Sequence, residues 1–203
     1  MATLTSRQDE TGSIIRELTL GQILEQTVAR HPDNPALIYP EHGTRQTWQE
    51  FSDEVDRVAR GLMALGVRKD EKVAIWATNV PYWITLMFAT AKIGAILLTI
   101  NTNYMISEVE YVLKQSDAEN VFIIDGFRDT DFVSIIYELV PELREGERGD
   151  LHSARLPRLK RVFFLGSEQH HGIYSMNEVM ALAGQVSDDD YLARQASLSC
   201  HDI

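Results

Sequence analysis

The sequence has a single cysteine, Cys200, among 203 residues. One thiol closes no internal disulfide, so the fold must rest on an apolar core, not on covalent staples. The opening MATLTSRQDETGS lacks the basic, then apolar, then small-residue order of a secretory leader, and the chain reads as cytoplasmic. Basic charge is scarce. Lys and Arg number 19 against 30 Asp and Glu, a net charge of −11. Such a surface repels nucleic-acid phosphate and anionic lipid headgroups, which argues against a nucleic-acid partner. No two of the twelve glycines stand two residues apart, which excludes the dinucleotide-binding fingerprint. A glycine-rich loop running into Lys and then Ser or Thr is missing too, so the 203 residues hold no phosphate cradle of that kind. Internal repeats and low-complexity tracts are absent.

One apolar run is long. WITLMFATAKIGAILLTI, residues 83–100, is eighteen residues with one charge, Lys92. A membrane span is not the expected reading. Pro81 suits the first turn of a helix, Gly94 suits a left-handed C-terminal stop, and AILLTI is branched as a buried strand is. The run predicts a helix followed by a core strand.

What is present is a 44% apolar composition, enough for a substantial core. Four helix starts share one grammar, a Ser or Thr followed three residues later by Glu or Gln: Thr19 with Gln22, Thr47 with Glu50, Ser107 with Glu110, and Ser175 with Glu178. After Thr47, the residues Phe51, Val55, Val58, Leu62 and Leu65 keep one helical face up to Gly66, predicting a helix over 48–65. Between helices lie KVAIWA (72–77), AILLTI (95–100), NVFIID (120–125) and RVFFLG (161–166). Continuously apolar runs of this length fit strands covered on both faces. Strand and helix alternate, so the fold class is α/β with a mainly parallel sheet flanked by helices. An early β-hairpin, ALIYP then RQTW across Glu41, His42 and Gly43, is expected to add an edge to that sheet. The charged segment 142–160 reads as a surface loop. Residues 1–17 read as a flexible N-terminus, and 18–203 as one α/β domain.

Open α/β sheets bind ligands at the carboxyl ends of their strands. There, DGFRDTDF follows the strand NVFIID and offers Arg128, either as an anion contact or as a surface arginine paired with Asp129 or Asp131. Adjacent His170 and His171 diverge on an extended chain and are not expected to share a metal. Cys200 beside His201 is not expected to be a catalytic pair, which the fold normally assembles from distant positions. Asp188, Asp189 and Asp190 fit the positive end of a helix better than a magnesium site. No catalytic residue and no metal ligand is assigned.

The stretch 61–125 resembles the adenylate-forming acyl-CoA synthetases. It carries Leu-Gly-Val at 65–67, a charged turn at 69–72, Asn-Val-Pro at 79–81, AKIGA at 91–95 and Asn-x-x-Tyr at 101–104, in that family's order. YELVPEL and LHSARLPRLKRVFFLG are similar to the medium- and long-chain fatty acyl members. The resemblance implies the N-terminal subdomain of the acyl-CoA synthetase and luciferase-like fold. It also implies that 18–203 is an incomplete domain, stopping before the family's Ser/Thr/Gly-rich phosphate loop. The parent activity would join a fatty acid to ATP as an acyl-adenylate and pass the acyl group to coenzyme A. Its cofactors would be ATP, Mg2+ and coenzyme A. None of the motif residues that perform this chemistry falls within 1–203, so the fragment alone is expected to be inactive.

One site carries over from the resemblance. Some relatives hold coenzyme A phosphates in a Gly-x-Arg-x-x-Arg loop. Gly126 and Arg128 match its first half, and Asp131 stands where the second arginine would be. Asn101, Asn103 and Tyr104, at the carboxyl end of another strand, either line the same neighbourhood or form a structural turn. The competing class is a non-enzymatic binding or oligomerisation module derived from this family, a homo-oligomer among its forms, marked by an exposed apolar edge near RVFFLG and the C-terminus.

Overall fold

A computed structural model describes residues 6–8, 14–146, 148, 149 and 151–202. Within the expected N-terminal arm, β1 (Ser6–Gln8) and β2 (Ile14–Arg16) pair antiparallel, and the remainder of 1–13 lies outside the described residues. α1 (Leu20–Arg30) follows, its first turn closed by Thr19, whose hydroxyl accepts from the Gln22 N–H while Gln22 accepts from the Thr19 N–H. The same reciprocal cap opens α2 (Trp48–Ala64) at Thr47 and Glu50, and α6 (Met176–Ala181) at Ser175 and Glu178. Each cap satisfies two otherwise unpaired amides.

The expected cap at Ser107 is displaced. α4 spans Ile106–Gln115, and the Glu108 carboxylate takes the Met105 N–H at 3.1 Å. The preceding turn at 101–104 delivers Met105, not Ser107, as the first residue with a free amide. Glu110 instead binds Lys114 at 2.6 Å and Arg155 at 2.5 Å.

The central sheet is parallel throughout: β5 (Lys72–Trp76), β6 (Ile96–Thr99), β7 (Asn120–Ile123), β10 (Arg161–Phe164) and β11 (Tyr174–Ser175), in the order β11-β10-β7-β5-β6. Alternate side chains enter opposite layers. Val73, Ile75, Phe122 and Phe163 face α1, α2, α6, α3 (Pro81–Ile93) and α7 (Asp188–Ala196). Ala74, Trp76, Val121, Ile123, Val162 and Phe164 face α4 and α5 (Phe132–Leu139). Phe122 stacks on Phe163 at 4.3 Å in the first layer, and Trp76 on Phe132 at 3.7 Å in the second. Each such ring contributes about 1.5–3 kcal/mol by leaving water. A one-residue slip of register would exchange the two sets.

The long apolar run divides as its residues dictate. Pro81 starts α3, Gly94 ends it at φ +72°, and a strand follows. Among the described residues no helix is long and apolar enough to cross a membrane.

Three expectations change. The hairpin, β3 (Pro35–Tyr39) with β4 (Thr44–Thr47), forms its own two-stranded sheet and adds no edge to the central one. It is tied to the helices instead: Gln46 donates to Glu54 at 2.9 Å, the Trp48 N–H to the Asn34 carbonyl at 3.0 Å, and the Tyr39 hydroxyl to the Asn79 carbonyl. RVFFLG is no exposed edge, because β10 lies between β7 and β11; β6 is an outer strand, with Ile96 to Leu98 half-buried. The segment 142–160 is anchored as well as exposed, since Leu143, Leu156 and Leu159 enter the α4–α5 layer.

The helical layer closes around Lys92, the one charge of the apolar run, which is 2% exposed. Its ammonium donates to Asp56 at 2.6 Å and lies 3.3 Å from Glu25. The Tyr191 hydroxyl donates to the same Asp56 oxygen at 2.7 Å. Burial and the Asp56 charge hold this phenol protonated. Gly21 leaves room for the lysine stem, since a Cβ there would sit 3.0 Å from the Lys92 Cγ.

Two predictions follow from this packing. Gly61 lies within α2, where alanine ordinarily gains about 1 kcal/mol. Here an added Cβ would fall 2.0 Å from the Val179 carbonyl oxygen of α6. Gly61→Ala is therefore expected to destabilise, by about 2 kcal/mol or more, read as a lower urea midpoint. The second concerns acid. Burial alone would raise the Glu71 pKa, but hydrogen bonds from Lys160 and the Arg68 N–H outweigh it and bring it from 4.5 to about 2. A depressed folded-state pKa gives stability that is full above the unfolded value and is lost as pH falls from 4.5 toward about 2. Glu71→Gln should flatten that acid limb in unfolding free energy measured against pH; an unchanged limb would refute the assignment.

Candidate functional site

Because all five strands run one way, the loops leaving their carboxyl ends share one rim. Residues 101–105 leave β6 as a tight turn. The Asn101 side-chain oxygen accepts from the Asn103 N–H at 2.9 Å and lies 3.2 Å from the Asn103 amide nitrogen, and the Tyr104 N–H donates to the Asn101 carbonyl at 3.0 Å. The Trp76 indole N–H donates to that same carbonyl at 3.2 Å. Tyr104 packs against the α4–α5 layer. Asn101, Asn103 and Tyr104 thus build a turn, and only the two asparagines are exposed.

The segment after β7 folds back as a miniature hairpin, β8 (Gly126–Phe127) with β9 (Thr130–Asp131). Gly126 is required by close approach, since a Cβ would lie 2.2 Å from the Thr130 carbonyl oxygen. Arg128 and Asp129 form the two-residue tip, where turns matching the strand twist demand positive φ. Arg128 supplies it at φ +54°, a conformation that glycine usually takes. Its guanidinium stacks over Phe127, 4.9 Å from the ring centre. Among the described residues it makes no hydrogen bond or ion pair with either Asp129 or Asp131.

Asp131 has a different task. It is the N-cap of α5, accepting from the Ser134 N–H at 2.8 Å and the Ser134 hydroxyl at 2.7 Å, and these bonds hold its carboxyl below the usual range. The rim is continuous between the two candidate segments, with the Thr130 hydroxyl 3.8 Å from the Met105 sulfur. Gly126 and Arg128 therefore share one neighbourhood with the 101–105 turn.

The other candidates fall apart. His171 Nδ1 lies 2.9 Å from the Leu143 carbonyl oxygen, while His170 sits edge-on to Phe164 at 4.5 Å. Cys200 is exposed. Ser187 caps α7 ahead of Asp188, Asp189 and Asp190, and Asp188 pairs with Arg60 at 2.6 Å. Sequence reasoning missed Asp125 and Glu168, which the rim brings beside His170. Their positions just past two strands were the available signal.

A parallel sheet covered on both faces by helices, with the candidate residues gathered at the carboxyl ends of its strands, defines an α/β domain. The chain belongs to the AMP-binding enzyme family, whose model, described as AMP-binding enzyme, matches residues 24–173. YngI of Bacillus subtilis, provisionally named an acyl-CoA synthetase, is 42% identical over 180 residues, covering 89% of this chain and 33% of that protein. The mitochondrial medium-chain acyl-CoA ligase ACSF2 of Rattus norvegicus is 32% identical, covering 96% of this chain and 32% of its own. Among solved structures, a Rhodopseudomonas palustris protein provisionally named a long-chain-fatty-acid CoA ligase superposes with a TM-score of 0.65 at 25% identity, covering 80% of this chain and 36% of its own. The chain spans about a third of the length of the curated relatives it matches.

The tip geometry yields a test of its own. Arg128→Gly is expected to be more stable than Arg128→Val by about 1–2 kcal/mol, because a left-handed backbone penalises a β-branched residue and not glycine. Equal urea midpoints for the two variants would show that the tip does not hold this conformation.

Proposed function

We propose that this domain serves an adenylate-forming fatty acid–CoA ligase, in which a medium- or long-chain fatty acid reacts with ATP to give an acyl-adenylate and pyrophosphate, and coenzyme A then takes the acyl group. The relatives' names, together with the family's adenine nucleotide, support this reading. Its substrates, Mg2+ and coenzyme A are part of the proposal.

The observation that carries the proposal at residue level is the exposed, unpaired Arg128 guanidinium at the rim. A planar guanidinium can meet a phosphate through two parallel N–H donors. Its stacking on Phe127 reduces the freedom lost on binding, and the hairpin's ties at Gly126 and Asp131 fix its base. Asp131 is spent on capping α5 and offers the anion nothing. Arg128 is thus assigned to bind a coenzyme A phosphate as a lone contact. The Asn101 turn is assigned to shape the adjoining wall. Electrostatic stabilisation of the phosphoryl and acyl oxygens during the reaction needs donors beyond these. The 203 residues contain no Ser/Thr/Gly-rich phosphate loop to supply them.

Two outcomes are expected. Residues 1–203 alone should show no fatty-acid-dependent ATP–pyrophosphate exchange, and exchange above background would overturn the assignment of the chemistry to groups outside them. In the full enzyme, Arg128→Ala should raise KM for coenzyme A about 5- to 10-fold, the loss of one exposed charge-assisted contact, with KM for ATP and fatty acid unchanged. A coenzyme A KM indifferent to the substitution would remove Arg128 from the site.

A further inference from the structure

On the same rim, a ring nitrogen of His170 and one carboxylate oxygen each from Asp125 and Glu168 all lie within 4.8 Å of one another. The three residues come from the carboxyl ends of neighbouring strands: Asp125 is two residues past β7, and Glu168 and His170 lie in the loop after β10. Among the described residues neither carboxylate has a Lys or Arg partner, although both are exposed. The histidine is more constrained. Its ring rests edge-on against Phe164, its backbone bridges to Ile173, and its Nε2 is shielded from solvent without a hydrogen-bond partner. Two exposed carboxylates converging beside an imidazole whose Nε2 has no hydrogen bond offer a cation three donor atoms at one place.

From this geometry we propose that Asp125, Glu168 and His170 form a divalent transition-metal site, holding an ion of the zinc or manganese class. One imidazole nitrogen with two carboxylate oxygens is a borderline donor set that suits those ions better than calcium, which takes six to eight oxygens. Metal bonds of about 2 Å bring ligand atoms roughly 3–4 Å apart, so binding must draw the three groups closer. The two exposed carboxylates are free to make that movement, while the packed imidazole stays as the anchor. Three protein ligands leave further coordination positions for water or a substrate oxygen, and Asp125 immediately precedes the hairpin that carries Arg128. The site does not depend on the ligase reading, since its donors and their geometry are independent of it.

The test uses the full-length protein, stripped with a chelator and titrated with Co2+ as a spectroscopic probe, then with Zn2+ in competition. One Co2+ per chain with a visible spectrum of mixed nitrogen and oxygen ligation is expected, displaced by Zn2+. Selective shifts of the His170 ring signals in NMR spectra on Zn2+ addition should accompany it. Asp125→Asn and Glu168→Gln keep shape on exposed side chains, and each should weaken binding at least about 10-fold, the low end of what disturbing even the outer shell of a metal site costs. His171→Gln should leave binding unchanged. Absence of binding, His170 signals that do not move, or affinity indifferent to both carboxylate variants would overturn the site.

Discussion

The burial of one ammonium group organises half of this molecule. Lys92 lies in an otherwise apolar helix, and its charge cannot remain inside the helical layer unless carboxylates meet it there. Asp56 on α2 and Glu25 on α1 do so, and Tyr191 on α7 closes the arrangement by donating to Asp56. Four helices are therefore set in rotation and height by one side chain. Arg60 extends the network, with its guanidinium 4.5 Å from the Tyr191 ring and paired with Asp188. A methionine at position 92 would fill the same space without choosing among helix registers. The ion network supplies that choice, while the apolar contacts of α2 and α3 supply most of the free energy.

This dependence explains what could be read from the residues and what could not. Local grammar was legible wherever partners are three or four residues apart. The caps at Thr19, Thr47 and Ser175, the stop at Gly94 and the strands from KVAIWA to RVFFLG all appear as their residues predict. It failed where distant residues compete for the same group. Ser107 and Glu110 have the spacing of a cap, yet Arg155, forty-five residues away, takes the Glu110 carboxylate, and Glu108 serves the helix start instead. The hairpin illustrates a second limit. Its turn was visible, but attachment to the central sheet depends on contacts with α2 and Asn79 that leave no local trace.

The rim was legible in outline and not in arrangement. Strand ends locate it, and Gly126 and Arg128 stand out through the resemblance they carry. That Arg128 would occupy a left-handed tip, and that Asp131 would be consumed in capping α5, follow only from the closed hairpin. The trio of Asp125, Glu168 and His170 was hidden for the same reason, since its members are contributed by two strands whose adjacency is a property of the sheet order.

These features divide the fold into two regions with different physical characters. Around Lys92 the charges of Glu25, Asp56, Arg60 and Asp188 are paired, and the chain there is committed to one packing. Along the rim, among the described residues, the Arg128 guanidinium and the Asp125 and Glu168 carboxylates have no ion-pair partner, the His170 Nε2 has no hydrogen bond, and Arg128 holds a conformation that costs about 1–2 kcal/mol. A fold of marginal stability can carry such unsatisfied groups only where its core is over-determined elsewhere. Arg128, Asp125, Glu168 and His170 gather at the carboxyl ends of the parallel sheet, the side at which open α/β folds admit a ligand. On the proposed reading of the rim, the conformational cost borne at Arg128 is pre-organisation for an anion. The rim itself is held by the α4–α5 layer, into which Phe127, Phe132 and Phe164 pack, so the base of the Arg128 hairpin and the His170 ring rest on apolar contacts.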